Sequence, residues 1–356
     1  SILCFAFCYA NAAPASDPTP ALAFTNDTPW HVLDIEGNEL YTITCDEVCG
    51  MADGAIRTKK VVDGKTYWTY YTYSGLKMFE CQFDAAFNFS NGLACVGNFT
   101  DEKRSRSKNG FINKKGIFLL PLVFDDACSF SEGLAYVMND EFRGYINNRG
   151  QSILTLNNVV GYDFHEGICA VSTRGTHKVG YMDTTGRLIV PMTYDEVSYF
   201  SEGKAVAHKG RLRGYIDRNN NFVIAPQFDY ARPFSQGRAF VGFQSLYRLT
   251  RWAIIDSSGA IINERKFHEV NEFSDSVALV REGKKWYYVD YFGNNTIEED
   301  FENAMSFASG FAFAGGSQTG YGIINKKGEY IFKIGTPWKV FDLRINKGAI
   351  LGGNKN

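Results

Sequence analysis

Acidic side chains recur at one position of the sequence, each directly after an aromatic residue. Two carboxylates that flank a glycosidic bond can hydrolyse it, so a pair of these acids would suit a glycoside hydrolase. A catalytic pair should interrupt a repeat, whereas these acids follow one. We therefore expect them to have a structural role, such as capping a turn, and we expect no enzyme activity. The recurring acids are Asp125, Asp195, Asp229 and Glu302.

Other residues that could do chemistry are few and scattered. Cys45 and Cys49 have no second cysteine or histidine pair at the spacing of zinc ligands. Asp217 begins an Asn-rich segment like a calcium loop, but the twelfth position lacks the required Glu. His165 and His268 occupy repeat positions held elsewhere by Ser or Asp, so we expect surface substitutions and not catalytic bases. The sequence has no phosphate-binding loop and no zinc-helix or nucleophile-elbow motif, so we expect no metal and no cofactor.

Two segments, residues 101–108 and 243–251, are longer than their counterparts elsewhere in the chain. Extra loop length on a repeat scaffold often carries function. Arg and aromatic side chains are the usual anchors of interfaces. We therefore expect the two loops to form one partner-binding rim; the alternative is a solvated charged loop that discourages aggregation. The candidate residues are Lys103, Arg104, Arg106, Lys108, Tyr247, Arg248, Arg251 and Trp252.

A recurring Phe-Ser-x-Gly motif organises the chain around these segments. The Phe residues are separated by 41, 34, 36, 34, 39 and 34 residues, which indicates a repeat architecture. The motif begins at Phe89, Phe130, Phe200 and Phe234, with degenerate copies at Phe164, Phe273 and Phe307.

The sequence pattern of each repeat predicts three or four short strands. A small residue follows the motif Gly by two positions, and an apolar residue follows two positions later. This alternation predicts a strand with one buried face that lies close to a neighbouring sheet. A second strand ends at an Asn or Asp that starts a turn, and a Gly closes the turn. A third strand ends at Pro, as at Pro226. The small residues are Ala94, Ala135, Cys169, Ala205, Ala239, Ala278 and Ala312.

Together these residues resemble the WG repeat family, whose units read roughly Phe-Ser-x-Gly, a strand, Trp-Gly-Tyr-Ile-Asp, and an apolar strand ending at Pro. The resemblance extends from about Trp30 to the C-terminus. The name-giving Trp is present or nearly so at Trp30, Trp68, Trp252 and Trp286, and is replaced by Asn109, Arg143, Val179, Arg213 or Tyr321 elsewhere. The resemblance implies a mostly bacterial β-rich repeat with no defined general activity. It supplies no catalytic residues.

The predicted fold is all-β, a tandem array of about nine short three- to four-stranded repeats. Residues 30–37 look like a second strand without its first, and residues 346–352 like a first strand without its second. A unit split in this way favours a β-propeller-like ring, although nine units exceed the usual four to eight blades. The alternative is an open β-solenoid. We assign residues 1–12 to an incomplete signal peptide, 13–29 to a linker and 30–356 to the repeat domain.

The composition and the N-terminus bear on location and partners. The formal charge is −2, with 37 basic and 39 acidic side chains, so we do not expect nucleic acid as a partner. An apolar run followed by Ala10-Asn11-Ala12 is typical of a signal peptide and is too short to span a bilayer. Six later cysteines, an even number, fit an oxidising compartment; free core thiols are the alternative.

The predicted function is therefore a non-catalytic binding or scaffold protein with an unidentified protein or glycan partner. We expect it outside the cytoplasm, in the periplasm, on the cell surface or secreted, without a transmembrane segment. The alternatives are a propeller-type enzyme such as a glycoside hydrolase and a purely structural surface protein.

Overall fold

The protein is described by a computed structural model over residues 22–25, 29–33, 39–101, 103, 105–173, 175, 178–245, 249–263, 267–308, 310–334 and 339–343. Within these ranges every regular element is a β-strand and no helix occurs, which confirms the all-β prediction. The strands pair antiparallel in nine sheets of three or four strands, numbered 1 to 9 here in chain order. The chain divides into two units, residues 1–157 with 337–356, and residues 158–336.

The first unit contains sheets 1 to 4, each with four strands. Sheet 1 comprises β1 (Leu22–Thr25), β2 (Trp30–Leu33), β3 (Glu39–Ile43) and β34 (Lys339–Leu343). Sheet 2 comprises β4 (Glu47–Ala52), β5 (Ala55–Val62), β6 (Lys65–Thr72) and β7 (Lys77–Gln82). Sheet 3 comprises β8 (Ala85–Ala86), β9 (Leu93–Phe99), β10 (Ser107–Asn113) and β11 (Phe118–Phe124). Sheet 4 comprises β12 (Asp126–Ala127), β13 (Leu134–Met138), β14 (Arg143–Asn147) and β15 (Ser152–Thr155).

The second unit contains sheets 5 to 9, of which sheets 7 and 8 have three strands. Sheet 5 comprises β16 (Val159–His165), β17 (Ile168–Thr173), β18 (Val179–Asp183) and β19 (Leu188–Tyr194). Sheet 6 comprises β20 (Glu196–Val197), β21 (Ala205–Lys209), β22 (Leu212–Ile216) and β23 (Phe222–Phe228). Sheet 7 comprises β24 (Tyr230–Ala231), β25 (Ala239–Gln244) and β26 (Thr250–Ile255). Sheet 8 comprises β27 (Glu269–Val270), β28 (Ala278–Glu282) and β29 (Lys285–Val289). Sheet 9 comprises β30 (Asn303–Ala304), β31 (Phe311–Gly316), β32 (Gly320–Asn325) and β33 (Tyr330–Ile334).

The short strand before each motif belongs to the sheet that follows it. In sheet 6, for example, Glu196 and Val197 pair with His208 and Ala207 of the next strand. The Phe-Ser-x-Gly motif therefore connects the first and second strands of one sheet. The sequence-based repeat, which began at the motif, placed this strand at the end of the preceding unit.

The long strand after each motif is buried on both faces, which contradicts the prediction of one buried face. On β9, Ala94 packs in a cluster with Tyr70 of sheet 2. The alternate residues Leu93 and Cys95 pack with Phe130 of sheet 4. Because a sheet lies against each face of this strand, apolar side chains pack in two layers, one on each face. The small-residue column itself is buried as predicted, with 0 to 1% exposure at Ala94, Ala135, Cys169, Ala205, Ala239, Ala278 and Ala312.

The second long strand carries an aromatic residue that packs against the next sheet. The Tyr215 ring contacts the ring of motif Phe234, with 4.8 Å between centroids. Its hydroxyl donates to the carbonyl of Arg232 at 2.8 Å. Tyr288 repeats both contacts with Phe307 and Met305. This tyrosine therefore joins consecutive repeats through an apolar contact and a hydrogen bond.

The Gly before this Tyr allows the third long strand to approach closely. A Cβ on Gly214 would lie 2.5 Å from the Ile224 carbonyl oxygen and 2.7 Å from the Pro226 nitrogen. The pairing register of β22 and β23 shifts here, so β23 bulges over the glycine. In the three-stranded sheets 7 and 8 the same position holds Ala253 and Tyr287. Among the described residues, the two sheets without a regular fourth strand therefore also have no Gly at this position.

The turn that ends the second strand has the predicted form. In seven repeats an Asn or Asp side-chain oxygen accepts the backbone N–H groups of the residues two and four positions later, at 2.8 to 3.1 Å. These residues are Asn113, Asn147, Asp183, Asp217, Asp256, Asp290 and Asn325.

Both ends of the described chain contribute to sheet 1. Strand β1 pairs antiparallel with β2 on one side and with β34 on the other, with Phe24 opposite Val340. The predicted split unit is therefore present, although its strands differ from those predicted. β1 lies inside the segment assigned to a linker, and residues 346–352 lie outside the described residues. Strands from both ends of the described chain therefore belong to one sheet of the first unit.

Candidate functional site

The first predicted loop projects from sheet 3 between β9 and β10. The Asp101 carboxylate accepts the backbone N–H groups of Ser105 and Arg106 at 2.8 and 3.0 Å, which folds the loop back on itself. Lys103 and Arg106 are exposed at its end, whereas Arg104 lies outside the described residues. The loop therefore presents cations on an ordered turn.

Lys108 lies on strand β10 and not in the loop. Its ammonium group forms an ion pair with Asp125 at 2.8 Å, and each side chain remains more than a third exposed. An exposed pair of this kind stabilises a protein by about 1 kcal/mol at most. Lys108 is therefore engaged within its own sheet.

The second predicted loop is described only at its edges. Tyr247 and Arg248 lie outside the described residues, and Arg251 and Trp252 lie on strand β26. Trp252 packs against the core cluster of sheets 7 and 8, and the guanidinium of Arg232 lies 5.6 Å from its ring centroid. Trp252 is therefore a packing residue as well as a rim candidate.

The two loops belong to different units, so their joint rim stays a prediction.

Sequence reasoning missed a long hairpin in sheet 2, next to sheet 3 in the first unit. Strands β5 and β6 pair as far as Val62 and Lys65 around an Asp-Gly turn, and Lys60, Val61, Val62 and Lys65 are all exposed. The sequence feature that could have indicated this hairpin is the Lys59-Lys60 pair ahead of the turn. The repeat motif is too degenerate here to show that the hairpin is longer than in other repeats. Equivalent loops of neighbouring repeats emerge on one side, so this hairpin adds cations beside the first loop.

The recurring acids bind backbone groups. In six sheets the residue at this position, an acid in five and a histidine in one, accepts the N–H of the residue 15 positions later, near the end of the second strand of the same sheet, at 2.7 to 3.1 Å. The acceptors are Asp46, Asp84, Asp195, Asp229, His268 and Glu302, and the donors are Val61, Phe99, Gly210, Gln244, Gly283 and Ser317. The capping role predicted for these acids is therefore present, and Asp125 instead forms the ion pair with Lys108.

Hydrogen bonding favours the charged form of these carboxylates. Hydrogen bonds from the Lys178 side chain and the Gly210 N–H hold the pKa of Asp195 below its usual value. The backbone and hydroxyl groups of Ser317 lower the pKa of Glu302 in the same way. A carboxylate with a lowered pKa is a poor proton donor near neutral pH.

The x residue of Phe-Ser-x-Gly links consecutive repeats. It has a positive φ of about 50° to 55° and forms a tight two-residue turn with the Gly. Its side chain accepts a backbone N–H from the turn of the next repeat at 2.6 to 3.2 Å. These acceptors are Asp53, Asn91, Glu166, Glu202, Gln236 and Asp275. The hydrogen bond offsets the strain of a left-handed non-Gly residue.

Both histidines predicted to be surface substitutions make specific contacts. His268 is half-buried and its Nδ1 accepts the N–H of Gly283 at 3.0 Å, in the role of the recurring acid. His165 is half-buried and its ring lies 5.0 Å from the ring of Tyr199. Both side chains are partly exposed, as expected for surface positions, and the bond between His268 and Gly283 lies within sheet 8.

His165, Tyr199 and Glu272 form a group that we call the Tyr199 cluster. The Tyr199 hydroxyl lies 3.3 and 3.2 Å from the two carboxylate oxygens of Glu272, although 73 residues separate them in sequence. The three residues come from sheets 5 and 6 and the segment before β28. Sequence reasoning missed the cluster; its signal was variation at the position just before the motif Phe, which Tyr199 and Glu272 occupy.

Asp163 occupies the same position in sheet 5. It lies at an irregularity of β16 between Gly161 and Phe164, and makes no hydrogen bond or ion pair with another described residue. Burial raises the pKa of its carboxyl to about 6. His165 follows two residues later on the same strand.

A small cavity of about 80 Å³ lies beside sheet 6, where Arg213 replaces the name-giving Trp. Arg213 donates to the Glu196 carboxylate at 2.9 Å, and His208 Nδ1 lies 3.8 Å from the same oxygen. Arg213 and Glu196 satisfy each other's charge, so the cavity does not indicate a particular ligand.

Six cysteines of the described chain are free thiols, which agrees with the core-thiol alternative and not with disulfides. Burial raises the pKa of Cys45, Cys49, Cys81 and Cys95 to about 12, so these thiols stay protonated and weakly nucleophilic near pH 7. Among the described residues no group of three His, Cys, Asp or Glu side chains could hold a metal ion. The part of the chain that the structure covers contains no helix long and apolar enough to cross a membrane.

Solved structures similar to this chain share its β architecture. A eukaryotic initiation factor aligns with a TM-score of 0.61 at 12% identity, over 92% of this chain and 96% of that one. An uncharacterized protein from Listeria monocytogenes aligns with a TM-score of 0.41 at 9% identity, over 79% and 93% of the chains. The β-propeller domain of the Trilobed protease from Pyrococcus furiosus aligns with a TM-score of 0.38 at 8% identity, over 82% and 95%. At these identities the first likeness shows the fold alone, and the other two carry no argument.

The sequence itself supplies the family. No curated protein matches it at a significant level. The profile of the WG containing repeat matches five segments, residues 68–98, 110–141, 180–210, 214–247 and 252–286. The glycine, tyrosine and turn acid of this repeat have the structural roles described above. The chain therefore belongs to the WG repeat family.

Proposed function

We propose that the protein is a non-catalytic binding or scaffold protein outside the cytoplasm that presents its repeat surface to a protein or glycan partner. The observation that carries the proposal is the contrast between the recurring acids and the long hairpins. Most of the acids are held by backbone N–H groups in the same way from repeat to repeat. The hairpins that only some repeats extend carry exposed cations that this repeating hydrogen bond does not hold.

The chemistry of these hairpins suits recognition of an acidic or polar surface. Lys103 and Arg106 are exposed in the sheet 3 loop, and Lys60 and Lys65 are exposed in the sheet 2 hairpin. The backbone of an ordered turn loses little conformational freedom on binding, which favours affinity. The location outside the cytoplasm rests on the apolar N-terminal run and its Ala-Asn-Ala sequence.

The protein provides its own replacement for the long loops. Asp63-Gly64 closes the sheet 2 hairpin with positive φ at both residues, 51° and 74°. We would replace residues 100–106, between the paired Phe99 and Ser107, by Asp-Gly. Residues 245–249, between Gln244 and Thr250, would be replaced in the same way. Both exchanges keep the paired strand residues and remove the connecting loops between them.

The test is a pull-down from the extracytoplasmic fraction of the source organism with wild-type and doubly exchanged protein, analysed by mass spectrometry. We expect the wild type to capture specific partners and the exchanged protein to lose them. Circular dichroism must show that the exchanged protein keeps its strand signal. Identical captured partners for both folded proteins would contradict the role of the loops.

A further inference from the structure

The position immediately before the motif Phe is one at which the repeats of the second unit differ in chemistry. The small-residue column, by contrast, keeps one residue type or a close substitute. This position instead holds a carboxylate, a phenol, a proline, a second carboxylate and a hydroxyl. The residues are Asp163, Tyr199, Pro233, Glu272 and Ser306.

Side chains from this position reach across the unit. Tyr199 contacts the Glu272 carboxylate over the intervening repeat, whose residue at this position is Pro233. The His165 ring lies 5.0 Å from that of Tyr199, with the two ring planes tilted by 41°. Next to Glu272, the amide of Asn271 donates to the Ser306 hydroxyl at 3.3 Å. Repeats that are not sequence neighbours thus bring polar groups together.

The bond between Tyr199 and Glu272 has the geometry of a replaceable contact. A hydroxyl that donates to a carboxylate normally lies about 2.5 to 2.7 Å away, whereas here the two oxygens lie 3.3 and 3.2 Å away. Both side chains are also half-exposed, unlike the motif Phe residues beside them, which are buried. A ligand hydroxyl could therefore displace this contact at little cost to the fold.

We propose that the Tyr199 cluster binds a carbohydrate. The Glu272 carboxylate would accept hydrogen bonds from sugar hydroxyls, and the Tyr199 hydroxyl would donate to or accept from them. The flat rings of Tyr199 and His165 supply the apolar surface that the C–H face of a pyranose requires. Neighbouring Asn271, which is held by the buried Ser306, adds an amide group that recognises a further hydroxyl. This inference rests on the proposed binding function and names the chemistry of one partner.

The test uses the full chain and neutral tetrasaccharides of glucose, of N-acetylglucosamine and of galactose as probes, measured by calorimetry and ligand-observed NMR. We expect at least one probe to bind. Tyr199→Phe keeps the ring and removes the hydroxyl, and Glu272→Gln keeps the shape and removes the charge. Each should weaken binding roughly tenfold, the usual effect of losing a hydrogen bond to a charged group.

The matched control is Ser129→Ala, which changes the same repeat position in the first unit and should leave binding unchanged. The inference is overturned if none of the three tetrasaccharides binds the wild type, or if both cluster variants bind like the wild type. Loss of sugar binding alone, while the loops still capture their partners, would reject this inference and leave the proposed function standing. A loop-exchanged protein that keeps its sugar affinity would show that the cluster acts by itself.

Discussion

Ala205 illustrates how a small side chain sets the distance between sheets. It is fully buried in a cluster with Tyr181 and Tyr194 of the preceding sheet. Replacing it by Leu adds carbon atoms to a packed layer, so Ala205→Leu should lower the free energy of unfolding by about 1 to 3 kcal/mol. Urea unfolding followed by fluorescence would measure this change.

Lys204 is the matched control, one residue earlier on the opposite face. It is half-buried, and its ammonium lies 4.9 Å from the centroid of the Phe234 ring. Lys204→Leu should change stability by less than the Ala205 substitution, since its stem already lies along an aromatic surface. Equal effects at the two positions would contradict the assignment of their faces.

Asp163 should make stability depend on pH in an unusual direction. Burial raises its pKa to about 6, so the folded protein holds this proton more tightly than the unfolded chain does. Stability should therefore fall as the pH rises from about 4, the ordinary pKa of Asp, through 6. Asp163→Asn should raise the melting temperature at pH 8 and remove this decline, as measured by thermal melts across pH 4 to 8.

Asp195 provides a control of opposite sign. Its pKa is lowered, so it stabilises the fold above its unfolded pKa, and that contribution is lost as the pH falls through the folded value. Asp195→Asn should therefore lower the melting temperature at pH 8. If both substitutions shifted the melting temperature in the same direction, the environment assigned to Asp163 would be wrong.

At the scale of the element, Gly214 is required because there is no space for a side chain, and not because of its backbone conformation. Its Cβ would meet the backbone of the bulged strand β23 at 2.5 Å, so the strand must move to accept a methyl group. Gly214→Ala should cost about 3 kcal/mol, at the upper end of overpacking effects. Chemical denaturation would measure the loss.

Gly203 is required for its backbone conformation and not for space. Its φ is 72°, and a Cβ there would meet nothing within 4 Å. Gly203→Ala should therefore cost only about 1 to 2 kcal/mol, the strain of the left-handed conformation. Ala253 occupies the repeat position of Gly214 in sheet 7. Ala253→Gly should lower the free energy of unfolding by about 1 kcal/mol at most through the added backbone entropy of the unfolded chain, besides the effect of losing one methyl group. A Gly214 variant as stable as the Gly203 variant would contradict the close approach of β23.

At the scale of the whole molecule, sheet 1 depends on strands from opposite ends of the sequence. Truncation after Ile334 removes β34 and leaves β1 as an unpaired edge of four residues. Exposed edges pair with other chains, so this truncated protein should melt at a lower temperature and associate. Light scattering after size-exclusion chromatography would detect the associated species.

Truncation after Leu343 is the matched control because it keeps the whole of β34. This shorter truncation should behave like the full chain. If both truncated proteins remained monomeric with unchanged melting temperatures, the pairing of β1 with β34 would contribute nothing to stability.

The sequence by itself determined the features that depend on local chemistry. The Asp and Asn turns, the strands and the buried small-residue column follow from spacing of a few residues, because turn geometry and strand alternation are set within that range. The burial of both faces and the membership of each short strand required the tertiary structure, since both depend on which sheet packs against which. The Tyr199 cluster also required it. Its hydrogen bond joins residues 73 positions apart, and only the stacking of repeats brings Tyr199 to Glu272.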